Sequence, residues 1–476
     1  MTTASASPQA LAAEDTAPPH ETAPAENAAR NEGAVQHEGA IRQESARTEK
    51  AVTEKAGTDT PRVVTFGCRL NAYESEVMRE RATAAGLGAA VIVNTCAVTA
   101  EAERQARQAV RRAKRDNPNA RVVVAGCAAQ LHPEQFAAMP EVDRVLGNEA
   151  KLRLDSYRPE IETNIVVEDI MTARETAAHL MSGFQARTRA FVQVQQGCDH
   201  RCTFCIIPYA RGNNRSVPAG ELVRQVRALV AGGVREVVLT GVDITGYGGD
   251  LPGQPTLGSL CRRLLNLVPD LARLRLSSVD PVELDDEIFA LLAEEPRLMP
   301  HLHLSLQAGN DLILKRMKRR HQMADARAMV ARARAARPEV VFGADLIAGF
   351  PTEDAAMFQD SLDAVTALDL THLHVFPYSE RPGTPAARMP AVPKATRKDR
   401  AAALRAAGTQ ALHAFLDRQV GTCADVLLEE ADEDGRMKGH TPQFAPVRVT
   451  GGGAAGEIVS VRLTARAGDH LLGQAL

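Results

Sequence analysis

Eight cysteines punctuate this 476-residue sequence, and six of them fall into two groups of three. Cys198, Cys202 and Cys205 lie in the run Gly197-Cys198-Asp199-His200-Arg201-Cys202-Thr203-Phe204-Cys205, a C-x3-C-x2-C spacing directly behind an apolar, strand-like segment. Thiolates are the soft ligands that hold iron–sulfur clusters. Three of them on a four-iron cluster leave one iron open, and an open position is what distinguishes a reactive metal site from a structural one. A zinc knuckle completed by His200 would use the same stretch, although zinc pairs usually come as two separated C-x2-C units. The other group, Cys68, Cys96 and Cys127, is spaced about thirty residues apart, each one or two residues past the end of a strand-like run. In a parallel sheet such ends share one edge, so the three thiols can converge there. Three unrelated buried thiols are the plainer alternative. Cys261, in an apolar helical stretch, and Cys423, at the approach to a strand, read as structural.

The elements that must position these thiols follow an α/β pattern from residue 61 onward. Short β-branched runs at Arg62–Phe66, Ala90–Asn94, Arg121–Ala125 and Val142–Leu146 alternate with helical periods, which predicts a parallel sheet over residues 61–160. Residues 147–188 form a transition, partly extended around Ile165–Val167. A second series over residues 185–415 has strand candidates at Ala190–Gln195, Glu236–Thr240, Arg273–Ser277, Leu302–Leu306, Val341–Ile347 and His372–Phe376. Helical stretches at Glu221–Ala231, Leu257–Leu267, Asp285–Ala293, Met323–Ala336 and Asp354–Ala367 lie between them. Six βα units fit either a doubly wound sheet or an incomplete barrel, and the pattern alone does not choose. After a helix ending near Val420, residues 418–476 read as a small all-β module with strands at Ala424–Leu428, Pro446–Val449 and Glu457–Leu463 and a final turn.

Composition bounds the remaining possibilities. No run approaches ~18 consecutive apolar residues, which excludes an ordinary transmembrane helix, and the N-terminus lacks the basic start and apolar stretch of a secretory signal. A cytoplasmic protein without membrane partners is expected, and in that compartment eight cysteines do not form a disulfide scaffold. Residues 1–60 contain no aromatic residue and carry ten acids against five bases. Such a segment cannot bury enough apolar surface to offset its ordering entropy and is expected to be disordered. The rest of the chain is nearly neutral, so only local patches could meet nucleic acid. Arg104, Arg107, Arg111, Arg112, Lys114 and Arg115 share one helical region, and Lys315, Arg316, Lys318, Arg319 and Arg320 form a denser run. Both suit phosphate contact, and both equally suit solvated helix faces.

The C-x3-C-x-Phe-C run, with Phe204 as its aromatic, resembles the hallmark of the radical S-adenosylmethionine enzymes. That resemblance implies a partial barrel of six βα units and a 4Fe–4S cluster on Cys198, Cys202 and Cys205. The open iron would hold the cofactor, S-adenosylmethionine, whose cleavage gives a hydrogen-abstracting 5′-deoxyadenosyl radical. It also points to cofactor contacts at strand ends. Thr240-Gly241-Val242-Asp243 is similar to the motif that meets the cofactor's amino group, with Val242-Asp243 in place of the commoner Gly-Glu, which brings forward Gly241 and Asp243. Ser277-Ser278-Val279-Asp280 and Ser305-Leu306-Gln307 would place Ser277 and Gln307 towards cofactor or substrate. Gly343, Ile347 and Gly349 lie in a segment that resembles the adenine-binding G-x-I-x-G. Taken singly, a glycine after a strand is usually only a turn.

Two three-cysteine sites followed by a small β module resemble the methylthiotransferases, over essentially residues 61–476. Phe66-Gly67-Cys68-Arg69-Leu70-Asn71, Val93-Asn94-Thr95-Cys96 and Ala125-Gly126-Cys127 look like the branch acting on N6-threonylcarbamoyladenosine in tRNA. Branches acting on isopentenyladenosine or on a ribosomal-protein aspartate typically carry Gln-Met-Asn or Pro-Lys-Asn where this chain has Arg69-Leu70-Asn71. The resemblance implies a second, sulfur-bearing 4Fe–4S cluster on Cys68, Cys96 and Cys127, and a C-terminal RNA-binding barrel of the TRAM type. It implies as partners tRNA, a reductant such as flavodoxin or ferredoxin, and a sulfur donor. The expected reaction is 2-methylthiolation of threonylcarbamoyladenosine at position 37, with no catalytic side chain assigned beyond the cluster ligands. A non-catalytic two-cluster electron carrier or RNA-binding sensor is the alternative from another class; an open iron has no use there.

Overall fold

The computed structural model describes residues 60–160, 163–174 and 188–476. All but the last residue of the segment expected to be disordered, 1–60, lies outside the described residues. The first sheet is wholly parallel and runs in chain order through Arg62–Thr65, Ala90–Thr95, Arg121–Gly126, Arg144–Leu146 and Ile165–Val166. Its central strands are buried on both faces because helices cover both, which is why they read as unbroken apolar runs. Helix Arg69–Ala84 buries Leu70, Tyr73, Val77 and Met78. Helix Ala100–Asp116 starts on a Thr99 cap whose Oγ1 accepts from Ala102 N at 3.1 Å, and it carries Glu101 and Glu103 at its start and Lys114 and Arg115 at its end. Those charges oppose the helix dipole at each end.

Six strand positions follow, again all parallel. Arg189–Gln193, Glu236–Thr240 and Arg273–Leu276 pair in that order, and Ser278–Val279, His301–Gln307, Val341–Ala348 and Leu370–Pro377 continue the series. The third position, expected as one strand to Ser277, divides there: Arg273–Leu276 pairs back to Glu236–Thr240 and Ser278–Val279 pairs forward to His301–Gln307. Side chains alternate along these strands. Leu302, Leu304, Leu306, Phe342, Ala344 and Leu346 belong to the main apolar core. The opposite face carries His301, His303, Ser305, Asp345, His372 and His374, so it is polar along much of its height.

Helix Lys394–Gln419 leads into a closed barrel of five strands, Cys423–Ala431, Met437–His440, Pro446–Thr450, His470–Ala475 and Ile458–Ala467. Closure removes the edges a small sheet would otherwise expose. The structure adds Met437–His440 to the expected strands, and the final segment forms the strand His470–Ala475. Phe444, at φ +70°, reaches out of this barrel. It stacks on His440 at 4.5 Å and lies under the guanidinium groups of Arg189 and Arg275, each 4.9 Å from its ring centre. Arg273 and Arg275 donate to the carbonyls of Asp425, His440 and Pro442. No helix among the described residues is long and apolar enough to cross a membrane.

Candidate functional site

The loop bearing Cys198, Cys202 and Cys205 leaves the first of the six strand positions through Gly197. That glycine is at φ +72°, and a Cβ there would lie 1.8 Å from the carbonyl oxygen of Asn213, so no other residue fits. Cys198 N donates to Gly212 O and Cys205 N to Cys202 O, both at 3.1 Å. Phe204 packs edge-on against Phe350 at 6.4 Å, and Thr203 binds the carbonyls of Met317 and Arg316 through its N–H and Oγ1. The three thiols are half-buried. Burial pushes the Cys205 thiol up to about 12. Burial also raises Cys198, with the nearby Asp243 charge and the other two thiols adding to it.

Gln195 ties this loop to the next strand end. Its Nε2 donates to Gly197 O at 2.6 Å, and its Oε1 accepts from Val242 N and Asp243 N at 3.0 and 2.8 Å. A side chain on Gly241 would meet that same Oε1 at 2.7 Å. Asp243 Oδ2 thereby comes within 3.6 Å of Cys198 Sγ and 2.9 Å of His200 Nε2. Burial opposes the Asp243 charge, but hydrogen bonds from His200, Thr245 and Cys198 outweigh it and hold the carboxyl below its usual range. His200 also faces Glu283 at 3.4 Å, so its ring nitrogen is engaged by carboxylates next to the triad.

The second trio converges at the C-terminal edge of the first sheet. Cys68 caps helix Arg69–Ala84, Cys96 follows Ala90–Thr95 directly, and Cys127 opens the short helix Cys127–Leu131. Gly67, at φ +97°, lets the first loop pass the second: a Cβ there would sit 2.8 Å from Cys96 Sγ. Burial, then the neighbouring Cys127 and Cys68, push the Cys96 thiol up to about 12. Cys127 Sγ accepts from Arg211 Nε at 3.1 Å and lies 3.8 Å from Asn148 Nδ2. Arg211 closes the helix Ile207–Arg211, which begins two residues after Cys205, so one short helix spans the interval between the two trios. Cys68 is exposed beside the buried Cys96 and Cys127. In each trio a desolvated thiol that its neighbours repel, Cys96 in one and Cys198 and Cys205 in the other, suits a shared multivalent cation centre, which reverses both penalties. Both donor sets therefore fit an iron–sulfur cluster.

The remaining expected site residues are placed unevenly. Ser277 is buried where the third strand position divides, and Gln307 ends the fourth in a left-handed conformation at φ +71°. Ile347 is half-buried on the polar face. Gly343 lies under His303, whose Nδ1 would be 2.4 Å from a Cβ there, and Gly349 abuts Arg397, whose Cγ would be 2.4 Å away. Both glycines thus have a packing role of their own. The basic run 315–320 is not one phosphate-facing surface. Arg319 is half-buried, donates to Asp280 Oδ2 at 2.6 Å and lies 3.6 Å from Cys202 Sγ; Arg316 holds Thr352 O; Arg320 pairs with Glu283. In the helix Ala100–Asp116, Arg104, Arg107, Lys114 and Arg115 all have acidic partners. Among the described residues Arg111 and Arg112 have none. Arg211, Glu74, Lys151 and Gln195 were not legible as site residues in the sequence, and Arg319, expected in a phosphate-facing run, turns instead to Cys202 and Asp280.

Residues 192–365 match the Radical SAM superfamily and residues 60–147 the uncharacterized protein family UPF0004. The chain is 52% identical over 401 residues to the threonylcarbamoyladenosine tRNA methylthiotransferase MtaB of Rickettsia prowazekii, covering 84% of this chain and 94% of that one. It is 35% identical to the MtaB of Thermotoga maritima, over 85% of this chain and 94% of that one. It is 37% identical to the tRNA-2-methylthio-N(6)-dimethylallyladenosine synthase of Novosphingobium aromaticivorans, over 86% and 95%. The class defined by fold and site is that of radical S-adenosylmethionine proteins, which brings one 4Fe–4S cluster and S-adenosylmethionine with it. Within that class, the chain belongs to the tRNA methylthiotransferase family.

Proposed function

We propose that this chain attaches a methylthio group to C2 of N6-threonylcarbamoyladenosine at position 37 of tRNA, next to the anticodon. The observation that carries the reading is the convergence of two separate three-thiol sites, bridged by the helix Ile207–Arg211, in a chain 52% identical to a protein of that name. In this reading Cys198, Cys202 and Cys205 hold the radical cluster and Cys68, Cys96 and Cys127 a second, sulfur-bearing one. When bound, the two clusters and S-adenosylmethionine supply the electron, the hydrogen-abstracting radical and the methylated sulfur that an unactivated C2–H requires.

The protein's own contribution is placement. Gln195 fixes the turn that carries Gly241 and Asp243 against the triad loop, and Phe204 wedges that loop onto Phe350. Asp243 offers a carboxylate beside Cys198 for a cationic amino group. Ser277, Gln307, Gly343, Ile347 and Gly349 complete the expected cofactor contacts. Deeper on the same face, Asp345 Oδ1 sits 3.0 Å from His303 Nε2 and 3.1 Å from His374 Nδ1, a polar floor that suits a substrate with a polar N6 substituent. Residues 61–160 serve the second cluster, 185–415 the radical chemistry and 418–476 RNA binding. A flavodoxin- or ferredoxin-type reductant and a sulfur donor complete the cycle, in the cytoplasm. Mass spectrometry of nucleosides from tRNA of a deletion strain tests the substrate. Loss of 2-methylthio-threonylcarbamoyladenosine, restored by the wild-type gene, is expected. Its persistence together with loss of the methylthiolated isopentenyl nucleoside would overturn the choice of substrate.

A further inference from the structure

Arg211 comes from the radical domain, yet its guanidinium is buried in the cysteine-bearing N-terminal domain, with 2% of its side chain exposed. A guanidinium has five N–H groups in a fixed fork. Here Nη1 donates to Glu74 Oε1 at 2.8 Å and Gln196 Oε1 at 2.7 Å, and Nη2 to Asn71 Oδ1 at 2.6 Å and Glu74 Oε2 at 2.9 Å. Those four bonds fix the plane of the group, and the fifth, Nε–H, points at Cys127 Sγ at 3.1 Å. Glu74 is itself fully buried and is shared with Lys151 Nζ at 2.6 Å. One carboxylate therefore faces two cationic side chains away from water, and a thiolate at Cys127 supplies the second negative charge. Neither Lys nor a neutral amide could offer the same directed N–H while keeping the bidentate grip on Glu74.

We infer that Arg211 is a positioning residue for the second cluster: it donates a charge-assisted hydrogen bond to the cluster-bearing sulfur of Cys127, raises that cluster's reduction potential, and links its seat to the helix that leaves the radical triad. This rests on the reading of Cys68, Cys96 and Cys127 as cluster ligands. Hydrogen bonds to ligand sulfur and local positive charge both stabilise the more negative, reduced form of a cluster. Removing the donor must therefore move the potential downward.

The test uses the full-length chain carrying Cys198→Ala, Cys202→Ala and Cys205→Ala, reconstituted anaerobically, so that one cluster remains. Potentiometric titration followed by electron paramagnetic resonance compares Arg211 with Arg211→Gln, Arg211→Lys and the charge-balanced pair Glu74→Gln/Arg211→Gln. The expected result is a midpoint potential shifted negative in every Arg211 variant that retains iron, with an altered signal of the reduced cluster. Arg211→Lys, which keeps the charge but not the directed N–H, should shift least. Loss of iron from all three variants with the fold retained, judged by circular dichroism, also supports the anchor. An unchanged potential and signal in any iron-retaining variant overturns it, since a merely structural role would move the melting temperature alone. A parent chain that binds no iron instead overturns the cluster reading on which the inference rests.

Discussion

Replacing Glu74 by Gln tests the buried network that joins the helix Arg69–Ala84 to the helix Ile207–Arg211. Glu74 binds Arg211 through both oxygens, at 2.8 and 2.9 Å, and Lys151 at 2.6 Å, with no solvent access. Burial works against its charge, but the two cations more than offset this and bring the carboxyl from the ordinary 4.5 down to about 2. That interval corresponds to about 3 kcal/mol at 1.36 kcal/mol per pH unit. An independent estimate, the cost of leaving buried cations without their partner, is about 3–5 kcal/mol. The two agree, so Glu74→Gln should destabilise by about 3–5 kcal/mol, read as a lower melting temperature at about 2–4 °C per kcal/mol for a unit of 150–250 residues. Because the folded carboxyl lies below its unfolded value, its contribution is complete above pH 4.5 and disappears as the pH falls through about 2. Anaerobic differential scanning calorimetry at neutral pH is the assay. A variant that melts within about one degree of wild type would show that this network does not hold the two helices together.

Three further outcomes are expected. Cys202→Ala should abolish 5′-deoxyadenosine formation and product alike, whereas Cys96→Ala should still cleave S-adenosylmethionine without inserting sulfur, as chromatography of both products would reveal. Gly197→Ala places a Cβ 1.8 Å from Asn213 O, so the triad loop must shift; iron content should fall by about half, with the Cys68–Cys96–Cys127 centre retained. Arg111→Glu with Arg112→Glu should weaken tRNA binding and reduce its salt dependence by about one charge per lost contact. Unchanged affinity at several salt concentrations would remove that helix from the tRNA surface.

Much of the candidate site was legible in the sequence because thiols that could hold a cluster are few in type and sit on loops just past buried strands. The strands were equally visible, since Ala90–Thr95 and Arg121–Gly126 are buried on both faces and must be apolar throughout. The failures have local causes. Lys318 adopts φ +61° after the helix Asp311–Arg316, and this turn sends Arg319 inward to Cys202 and Asp280, so a charge run that suggests a surface contains a half-buried residue turned towards the triad. Strand Met437–His440 is short and contains Gly439, whose Cβ would meet Leu427 O at 2.3 Å, so it lacks a β-branched pattern. The Glu74–Arg211 pair joins residues 137 apart, and no periodicity encodes it. Only its contacts with Glu74, Asn71 and Cys127 make Arg211 more than a charged residue after a proline-led turn.

The account depends on two distinct clusters, one for each cysteine trio. Iron and sulfide analysis with Mössbauer spectroscopy of the reconstituted full-length chain tests this most directly. About eight irons per chain are expected in the wild type, falling to about four when either Cys198, Cys202 and Cys205 or Cys68, Cys96 and Cys127 are replaced by alanine. About four irons in the wild type, with one of the two triple variants unchanged, would contradict it.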